Sequence, residues 1–371
     1  MTHKILELVQ GMEKGGRTKR IAETAIGLGE LGWQVKVLPM TPVPAWVKSI
    51  YAKELEWLEL DRKPKLDIQY VFRLASLMRR EGISLVHAHC EASYFYGGLA
   101  GRLSNTPVVG TYHRSDLHYF ENNWRLRFFA RLLTRAVAIS NDRKSLMINN
   151  LGMDAQKITL IHGGVNLRDF KLLSPEQVAQ LKIEQGLTNR RILLSVGHLG
   201  PIKGHQTTLQ ALPQIVARFP DILLLIAGDG SAEDYERLHK MIAELNLKEH
   251  VKLLGQVGNV VDLMNACEFF VQPSLEEGFG LVFVEAGACK KAVVSTAVGG
   301  IKDIVKHEET GLLVAPGDVN ALSQALSTLL GDPRKSTAYG EAGFKRAHEF
   351  FALENMAAGY DRLFSTLLGK S

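Results

Sequence analysis

The sequence contains only three cysteines, at positions 90, 267 and 289, and their spacing matches neither a metal site nor a disulfide framework. This scarcity favours a reducing compartment, and we expect a cytoplasmic protein. No apolar run approaches the roughly 18 to 20 residues that a membrane span requires. Asp-x-Asp pairs, which can hold a divalent cation, are also absent. We therefore expect no metal and no other cofactor.

The net charge of +5 is unevenly distributed along the chain. Residues 1–170 hold 24 Lys and Arg against 16 Asp and Glu, whereas residues 171–371 hold 20 against 23. A basic first half indicates that this half meets something anionic, such as a phosphorylated small molecule or a membrane surface. No recognised nucleic-acid-binding motif accompanies the basic residues, so we expect no nucleic acid partner.

Short apolar runs alternate with amphipathic segments from KILELV at residue 4 to GLLVAP at residue 311, with a polar interruption at 171–190. This alternation is typical of parallel sheets covered by helices. We predict an α/β protein with two tandem doubly wound, Rossmann-like domains, over residues 1–170 and 171–351. Ligands bind at the carboxyl ends of such strands, so we expect the two domains to face each other across a cleft.

The stretch EEGFGLVFVE at 276–285 places two acids around a glycine-flanked helix start. Gly278 and Gly280 allow backbone N–H groups to approach a ligand, and a helix N-terminus favours an anion there. Carboxylates accept hydrogen bonds from sugar hydroxyls, so Glu277 could bind one sugar and Glu285 another, with phosphate between them. On spacing alone, Glu285 is equally well explained as a solvated helix residue.

Several motifs occur in an order and spacing that together resemble one known family. They are EKGGRTK at 13–19, IHGGVN at 161–166, SVGHLGPIKGH at 195–205, LLLIAGDG at 223–230, VKLLGQV at 251–257, FFVQPS at 269–274, the 276–285 stretch and ETGLLVAPGD at 309–318. Across most of its length the chain is similar to the retaining glycosyltransferases of the GT4 type (glycosyl transferases group 1), which have the GT-B fold.

The resemblance implies a metal-independent, retaining hexosyltransferase. Its donor would be a UDP- or GDP-sugar, and its acceptor a hydroxyl group of a lipopolysaccharide, glycolipid or polysaccharide precursor of the cell envelope. The resemblance also implies that the final helix, over residues 352–371, packs back on the first domain. Two rival functions stay open, namely a nucleotide-sugar epimerase on the same fold and a non-catalytic nucleotide-sugar-binding protein.

The resemblance also assigns site residues. The catalytic contacts fall to His113, Lys203 and Glu277. Donor binding falls to Gly15, Gly16, Arg17, His198, Lys203, Gly278, Phe279, Gly280 and Glu285. In this assignment Glu277 contacts the donor sugar, Glu285 the ribose hydroxyls, and Lys203 the diphosphate. Gly16 approaches phosphate through its backbone, and His113 faces the transferred sugar, although a lone histidine after a strand is otherwise more often structural.

Position 198 departs from the family pattern, which has Arg where this chain has His198. Arg forks onto phosphate with two parallel hydrogen bonds, whereas His is shorter and is neutral or charged near pH 7. Three consequences are open. A neighbour such as Arg17 supplies the missing charge, His198 still donates one bond to phosphate, or catalysis is weakened.

The segment NNWRLRFFARLLTRA at 122–136 mixes arginines with aromatic and aliphatic residues. As a helix it is basic and amphipathic, and it could make peripheral contact with an anionic membrane. A buried helix with solvated arginines explains the same pattern.

Overall fold

The structure is a computed structural model that describes residues 3–12, 16–51, 54–114, 118–121 and 123–369, without the side chains of residues 16 and 17. The chain divides into two compact units, one formed by Met1–Gly164 with Leu353–Ser371 and the other by Val165–Ala352. Each unit contains one parallel sheet with the strand order of a doubly wound fold. The predicted α/β fold class with two Rossmann-like domains is therefore confirmed.

The first unit contains a seven-stranded sheet with the order β3-β2-β1-β4-β5-β6-β7. Its strands are β1 (Lys4–Val9), β2 (Gln34–Pro39), β3 (Glu56–Trp57), β4 (Ile83–Ala88), β5 (Val108–Tyr112), β6 (Arg135–Ala138) and β7 (Ile158–Leu160). The helices between them are α1 (Gly16–Glu30), α2 (Ala45–Ile50), α3 (Ile68–Glu81), α4 (Glu91–Ser104), α5 (Trp124–Ala130) and α6 (Asn141–Asn149).

Helix α3 illustrates how local sequence fixes these elements. The Asp67 side chain accepts a hydrogen bond from the Tyr70 backbone N–H at its start, and Gly82 ends it with a φ of 65°. Tyr70 and Leu74, one turn apart, are fully buried in the core under the sheet. The helix therefore has both its ends and its inward face determined by nearby residues.

The second unit contains a six-stranded sheet with the order β10-β9-β8-β11-β12-β13. Its strands are β8 (Arg191–Val196), β9 (Ile222–Ala227), β10 (Val251–Gly255), β11 (Phe269–Gln272), β12 (Val293–Thr296) and β13 (Gly311–Val314). Its helices are α7 (Pro175–Glu184), α8 (His205–Arg218), α9 (Ala232–Glu244), α10 (Val260–Ala266), α11 (Leu281–Ala288), α12 (Ile301–Ile304), α13 (Val319–Gly331) and α14 (Pro333–Phe350).

The last helix, α15 (Leu353–Leu368), follows the second unit in sequence but belongs to the first. Tyr360 and Phe364 on α15 are buried with Ile5 and Leu85 of the first sheet in one apolar cluster. Asp361 Oδ1 accepts a 2.8 Å hydrogen bond from the indole N–H of Trp33. The first unit is thus completed by chain from both ends of the sequence.

Two segments differ from the sequence expectation. The helix predicted near residues 124–134 is too long: α5 ends at Ala130, and Arg135 already begins β6, which pairs with β5. Strand pairing outweighs the helical pattern there because Leu132 and Leu133 are buried where the chain turns into the sheet. The polar stretch 171–190 contains α7, whose Ser174 and Gln177 form a capping box.

In the part of the chain that the structure describes, none of the helices combines the length and apolar content needed to cross a bilayer.

Candidate functional site

The strand order of the second sheet reverses between β8 and β11, which are direct neighbours. In open α/β sheets the loops leaving two such strands diverge and form the crevice where ligands bind. The loop after β8 carries residues 197–204, and the loop after β11 carries residues 273–280. The two segments that sequence analysis selected therefore meet at the position where this fold binds ligands.

Lys203 and Glu277 form an ion pair across this crevice. The Lys203 Nζ lies 2.8 Å from Glu277 Oε2, and the side chains are 20% and 10% exposed. The other carboxylate oxygen, Oε1, accepts a 3.2 Å hydrogen bond from the Gly278 backbone N–H. Both groups therefore have fixed positions, with enough exposure for a ligand to reach them.

Gly204 fixes the loop that carries Lys203. Its φ is 72°, and a Cβ added there would lie 1.9 Å from the carbonyl oxygen of Pro273. Only glycine permits this backbone conformation together with this close approach. The two loops of the crevice consequently pack backbone against backbone.

His198 is exposed in the same loop, and its protonation site is fixed by the backbone. Its Nδ1 accepts a 2.9 Å hydrogen bond from the Gly200 N–H. In the neutral ring the proton is therefore on Nε2, which gives His198 one outward donor. The His198 carbonyl oxygen accepts a 3.2 Å hydrogen bond from Nε2 of His205, the first residue of α8.

The start of α11 is held by glycines from two loops. Gly280 has a φ of 93°, and an added Cβ would lie 2.5 Å from the ring of Phe283. A Cβ on Gly299 would lie 1.7 Å from the Glu277 carbonyl oxygen, and one on Gly300 would lie 2.6 Å from the Phe279 Cα. Sequence analysis did not assign a role to this glycine pair, although its Gly-Gly signal is visible in AVGGIKD.

The other predicted residues of this crevice have different surroundings. Phe279 is 1% exposed, so its side chain is part of the core. Only its backbone is left to contact a ligand in the crevice. Glu285 lies on α11 with a half-buried side chain. This intermediate burial agrees with a site position better than with a fully solvated helix residue.

In the first unit the strand order reverses between β1 and β4, where Glu7, His87 and His89 meet. All three side chains are buried. The Glu7 carboxylate accepts a 3.0 Å hydrogen bond from His87 Nδ1 and a shorter one from His89 Nε2. His89 Nδ1 lies 2.9 Å from Nε2 of His113, which follows β5. The predicted residue His113 is therefore linked to a buried carboxylate.

Glu7 is ionised in this environment. Its burial by itself raises the pKa, but the neighbouring His87 and His89 outweigh burial and lower it to about 2. A second arm of the network runs from His87 Nε2 to Thr111 Oγ1, at 2.7 Å, and from there to the Tyr360 hydroxyl of α15, at 3.1 Å. The sequence motifs did not single out His87 or His89, and the network became visible through their contacts with Glu7 and Thr111.

Glu7, His87 and His89 also form the group of side chains, within the described ranges, whose atoms are close enough to share one metal ion. Each imidazole instead forms a direct hydrogen bond with the carboxylate. We therefore interpret the cluster as a hydrogen-bonded charge network.

The structure describes only part of the predicted donor-binding motif Gly15-Gly16-Arg17 in the first unit. Gly15 lies outside the described residues. Gly16 is the first residue of α1, and Arg17 follows it in the same helix with a side chain that is not described. The α1 start follows β1 and therefore lies at the same carboxyl edge of the sheet as His89 and His113.

Two family models match the chain. The model "Glycosyltransferase Family 4" matches residues 14–169, and the model "Glycosyl transferases group 1" matches residues 178–346. The residues at both strand-order reversals lie within the matched segments, except for β1, which ends before residue 14.

Curated proteins with similar sequences include two that act on lipid-linked sugars by name. The chain is 31% identical over 352 residues to the N-acetylgalactosamine-N,N'-diacetylbacillosaminyl-diphospho-undecaprenol 4-alpha-N-acetylgalactosaminyltransferase of Campylobacter jejuni, covering 90% of this chain and 92% of the relative. It is 28% identical over 276 residues to the UDP-Gal:alpha-D-GlcNAc-diphosphoundecaprenol alpha-1,3-galactosyltransferase of Escherichia coli, covering 72% and 71%.

Among solved structures, the fold is similar to that of Anabaena HepE in complex with UDP. The TM-score is 0.88 at 23% identity, and the comparison covers 98% of this chain and 100% of the other.

Proposed function

The chain belongs to the group 1 glycosyl transferases of family 4, and on this premise we propose that it transfers a sugar from a nucleotide diphosphate sugar to a hydroxyl group with retention of configuration. The bond between the anomeric carbon and the phosphate oxygen breaks, and the acceptor oxygen bonds to the same face of that carbon. The acceptor proton passes to the leaving phosphate. The leaving diphosphate gains negative charge, so the reaction needs positive charge and donors around it.

The pairing of Lys203 with Glu277 is the observation that carries this proposal. A cation and an acceptor-only carboxylate lie 2.8 Å apart at the ligand-binding edge of the second sheet. A donor has its diphosphate directly beside its sugar, so one ligand can contact both groups. Lys203 then stabilises the leaving diphosphate, and Glu277 accepts hydrogen bonds from the sugar hydroxyls.

Further stabilisation comes from groups around this pair. The Nε2–H of His198 offers one donor to phosphate, which supports the second of the three consequences considered for this position. Helix α11 begins after its N-cap residue Gly280, and the backbone N–H groups of its first turn point outward from the helix start. Glu285 on the same helix binds the ribose hydroxyls. With these groups in place, we propose that the reaction requires no metal ion.

The substrates are proposed from the relatives. Both relatives named above carry undecaprenol-linked diphosphate sugars in their names and form alpha linkages, and one uses UDP-Gal. The donor of this chain is accordingly a UDP-sugar, and its acceptor is a sugar on a polyprenyl diphosphate, a precursor of cell-envelope glycans. An alpha product is what a retaining enzyme forms from an alpha-linked donor.

A lipid-linked acceptor requires the enzyme to work at the cytoplasmic face of a membrane. On α5, Trp124 is 71% exposed and Phe128, one turn later, is 45% exposed. Arg125, Arg127 and Arg131 are exposed beside them. Aromatic side chains flanked by arginines suit the headgroup region of an anionic bilayer. We expect the double variant Trp124→Ser with Phe128→Ser to reduce co-sedimentation with phosphatidylglycerol vesicles. Unchanged sedimentation would contradict a membrane contact through α5.

Donor binding is tested by thermal shift with UDP, GDP, ADP and CMP in the absence of metal. UDP at about 100 times its Kd should add roughly 2.7 kcal/mol to stability. Lys203→Ala should weaken UDP binding about 10- to 150-fold, because a hydrogen bond to a charged group contributes about 1.5 to 3 kcal/mol. Lys182→Ala is the matched control, since Lys182 is 22% exposed and pairs with Glu268 at 3.8 Å in the same unit.

Transfer is tested with UDP-sugars and a polyprenyl-diphosphate-linked acceptor in the presence of a metal chelator. The expected result is an alpha-linked product, identified by NMR, with loss of turnover in Lys203→Ala. Conversion of the donor to an isomer without acceptor would indicate an epimerase. UDP binding without transfer or hydrolysis would indicate a non-catalytic binding protein. Either result would contradict the proposed function.

A further inference from the structure

We propose that Glu7 and His89 are positioning residues that fix the tautomer and orientation of His113 through the hydrogen bonds Glu7–His89–His113, here called the His113 relay. The proposal rests on the proposed function and on the family resemblance, which places His113 against the transferred sugar. The relay itself lies within the first unit, so it can also be measured without any substrate.

The hydrogen bonds of the relay determine where each proton lies. The ionised Glu7 carboxylate can only accept, so His89 Nε2 donates to it. In the neutral His89 ring, Nδ1 then carries the lone pair and accepts from His113 Nε2–H at 2.9 Å. Nδ1 of a neutral His113 is consequently an acceptor, which is the form that receives a hydrogen bond from a sugar hydroxyl.

The same chain of bonds can stabilise a proton that reaches His113. If Nδ1 of His113 takes up a proton, its Nε2 proton can move along the 2.9 Å hydrogen bond to Nδ1 of His89. The positive charge then lies on His89, directly beside the negative Glu7. No atom besides the proton moves, and the buried carboxylate provides the compensating charge.

The second arm of the network gives His87 the opposite tautomer. Its Nδ1 donates to Glu7, and its Nε2 accepts from the Thr111 hydroxyl, which in turn accepts from the Tyr360 hydroxyl. His87 and His89 therefore carry their protons on different ring nitrogens although they share one carboxylate. This difference is a distinctive signature of the arrangement, and it depends on an ionised acceptor at position 7.

The position of Glu7 argues against a purely structural role. The rest of β1 after Lys4 is apolar on both faces of the sheet, with Ile5, Leu6 and Leu8 all fully buried. A carboxylate is rarely buried completely unless it is paired, and an apolar side chain would fill the same place at lower cost. Glu7 also lies at the strand-order reversal, and the relay leads from there to the half-buried His113.

The relay predicts a direction for pH dependence. Among the described residues, the charged and titratable groups facing Glu7 and the His89–His113 pair include His87 from β4, Tyr360 from α15 and, beside Tyr360, Arg20 from α1. The negative Glu7 favours the protonated form of the histidine pair. Replacing it with a neutral residue lowers the pKa of that pair, so the limb of the pH–rate profile that the pair controls moves to lower pH.

The substrate-free test is histidine-ring NMR on the full chain labelled with 15N-histidine, with His87→Gln and His89→Gln used for assignment. We expect His87 protonated at Nδ1 and both His89 and His113 protonated at Nε2 near neutral pH. In Glu7→Gln, one amide group replaces two equivalent acceptors, so either His87 or His89 must change tautomer. A wild-type His89 protonated at Nδ1 would overturn the relay. This result does not depend on the proposed function.

The kinetic test compares Glu7→Gln with Tyr360→Phe, which removes a buried hydroxyl from the other arm of the network. Glu7→Gln should lower kcat about 10- to 100-fold, as does loss of the partners that orient metal-ligating histidines. UDP affinity should stay within about twofold, and the pH limb should move to lower pH. Tyr360→Phe should leave the limb in place. Equal losses in both variants without a shifted limb would overturn the relay even though the wild type transfers sugar.

Discussion

His205 supports the site from beneath the surface. Its ring bridges Ser195 Oγ, 3.3 Å from Nδ1, and the carbonyl oxygen of His198, 3.2 Å from Nε2. These two bonds use the donor and the acceptor of the neutral ring, and burial lowers the pKa of His205 to about 4. The orientation of His198 thus depends on a residue that is 1% exposed and must stay uncharged.

This burial predicts a pH effect on the stability of the second unit. The folded-state pKa of His205 lies below the ordinary value of 6.5, so the unfolded state binds the proton more tightly. The stabilising contribution is complete above pH 6.5 and is lost as the pH falls towards 4. Between pH 7.5 and 4.5 the loss amounts to about 2 to 3 kcal/mol. The His205→Gln variant should lack this part of the pH dependence.

Urea unfolding at pH 7.5 and at pH 4.5 measures this loss of stability. All four tryptophans lie in the first unit, so a transition seen by circular dichroism but not by fluorescence reports the second unit. Glu7 titrates below this pH range in the folded state and adds little to the comparison. His239→Gln, at an exposed position on α9, is the control. The same pH dependence in His205→Gln as in the wild type would show that His205 is not responsible.

At the scale of elements, the loop from Glu277 to Gly280 and the helix α11 form one unit of structure. The loop crosses over Gly299 and Gly300 without room for a side chain, and Gly280 then turns the chain into α11. The direction of the α11 N-terminus is therefore set by backbone packing. A change at Gly280 should alter ligand binding more than its effect on stability alone would suggest.

Gly280→Ala tests this coupling. A φ of 93° is strained for alanine, and the new Cβ would lie 2.5 Å from the Phe283 ring and 3.1 Å from Glu277 Cγ. We expect a stability loss of about 1 to 3 kcal/mol and at least about tenfold weaker UDP binding by calorimetry.

Gly317→Ala is the matched control for this variant. Gly317 also has a positive φ, 77°, but nothing lies within 4 Å of an added Cβ. It should lose a similar amount of backbone stability and keep its UDP affinity. Equal UDP affinity in the two variants would separate Gly280 from the ligand site.

The elements that sequence patterns could predict are those with a strong local period. Apolar runs such as KILELV and ILLLIA mark β1 and β9. Glu277 was selected from its place at a glycine-flanked helix start, whereas Lys203 was assigned through the family resemblance. Short elements with weak patterns were missed, including β3 with two residues. Helix α7 was missed although SPEQ at 174–177 carries a capping-box signal.

Contacts between strands that are distant in sequence are the other feature that could not be predicted from the sequence. Glu7 and His89 are 82 residues apart, and His113 joins them from a third strand. Their meeting depends on the register of parallel strands, and a one-residue shift would point each side chain to the opposite face. Local sequence does not specify that register, so the network became visible only in the structure.

At the scale of the whole molecule, the first unit depends on α15 to cover one face of its sheet. Phe364 is fully buried there, and its ring lies edge-on to Trp33 at 6.2 Å. Phe364→Ala should destabilise the first unit by about 3 to 5 kcal/mol, the usual range for a buried Phe→Ala change. Urea unfolding followed by tryptophan fluorescence should show an earlier transition.

The control for this variant is Phe350→Ala at the end of α14, where the ring is 46% exposed. It should cost under about 1 kcal/mol and leave the fluorescence transition unchanged. If Phe364→Ala shifted only the second-unit transition in circular dichroism, the assignment of α15 to the first unit would be wrong.

The discontinuous first unit has a consequence for synthesis on the ribosome. The residues that cover Ile5, Leu85 and Val137 are translated only after the entire second unit. At about 5 to 20 residues per second, that interval lasts on the order of tens of seconds. During it, the nascent first sheet has one apolar face open to water, and that face is where we expect a chaperone to bind the growing chain.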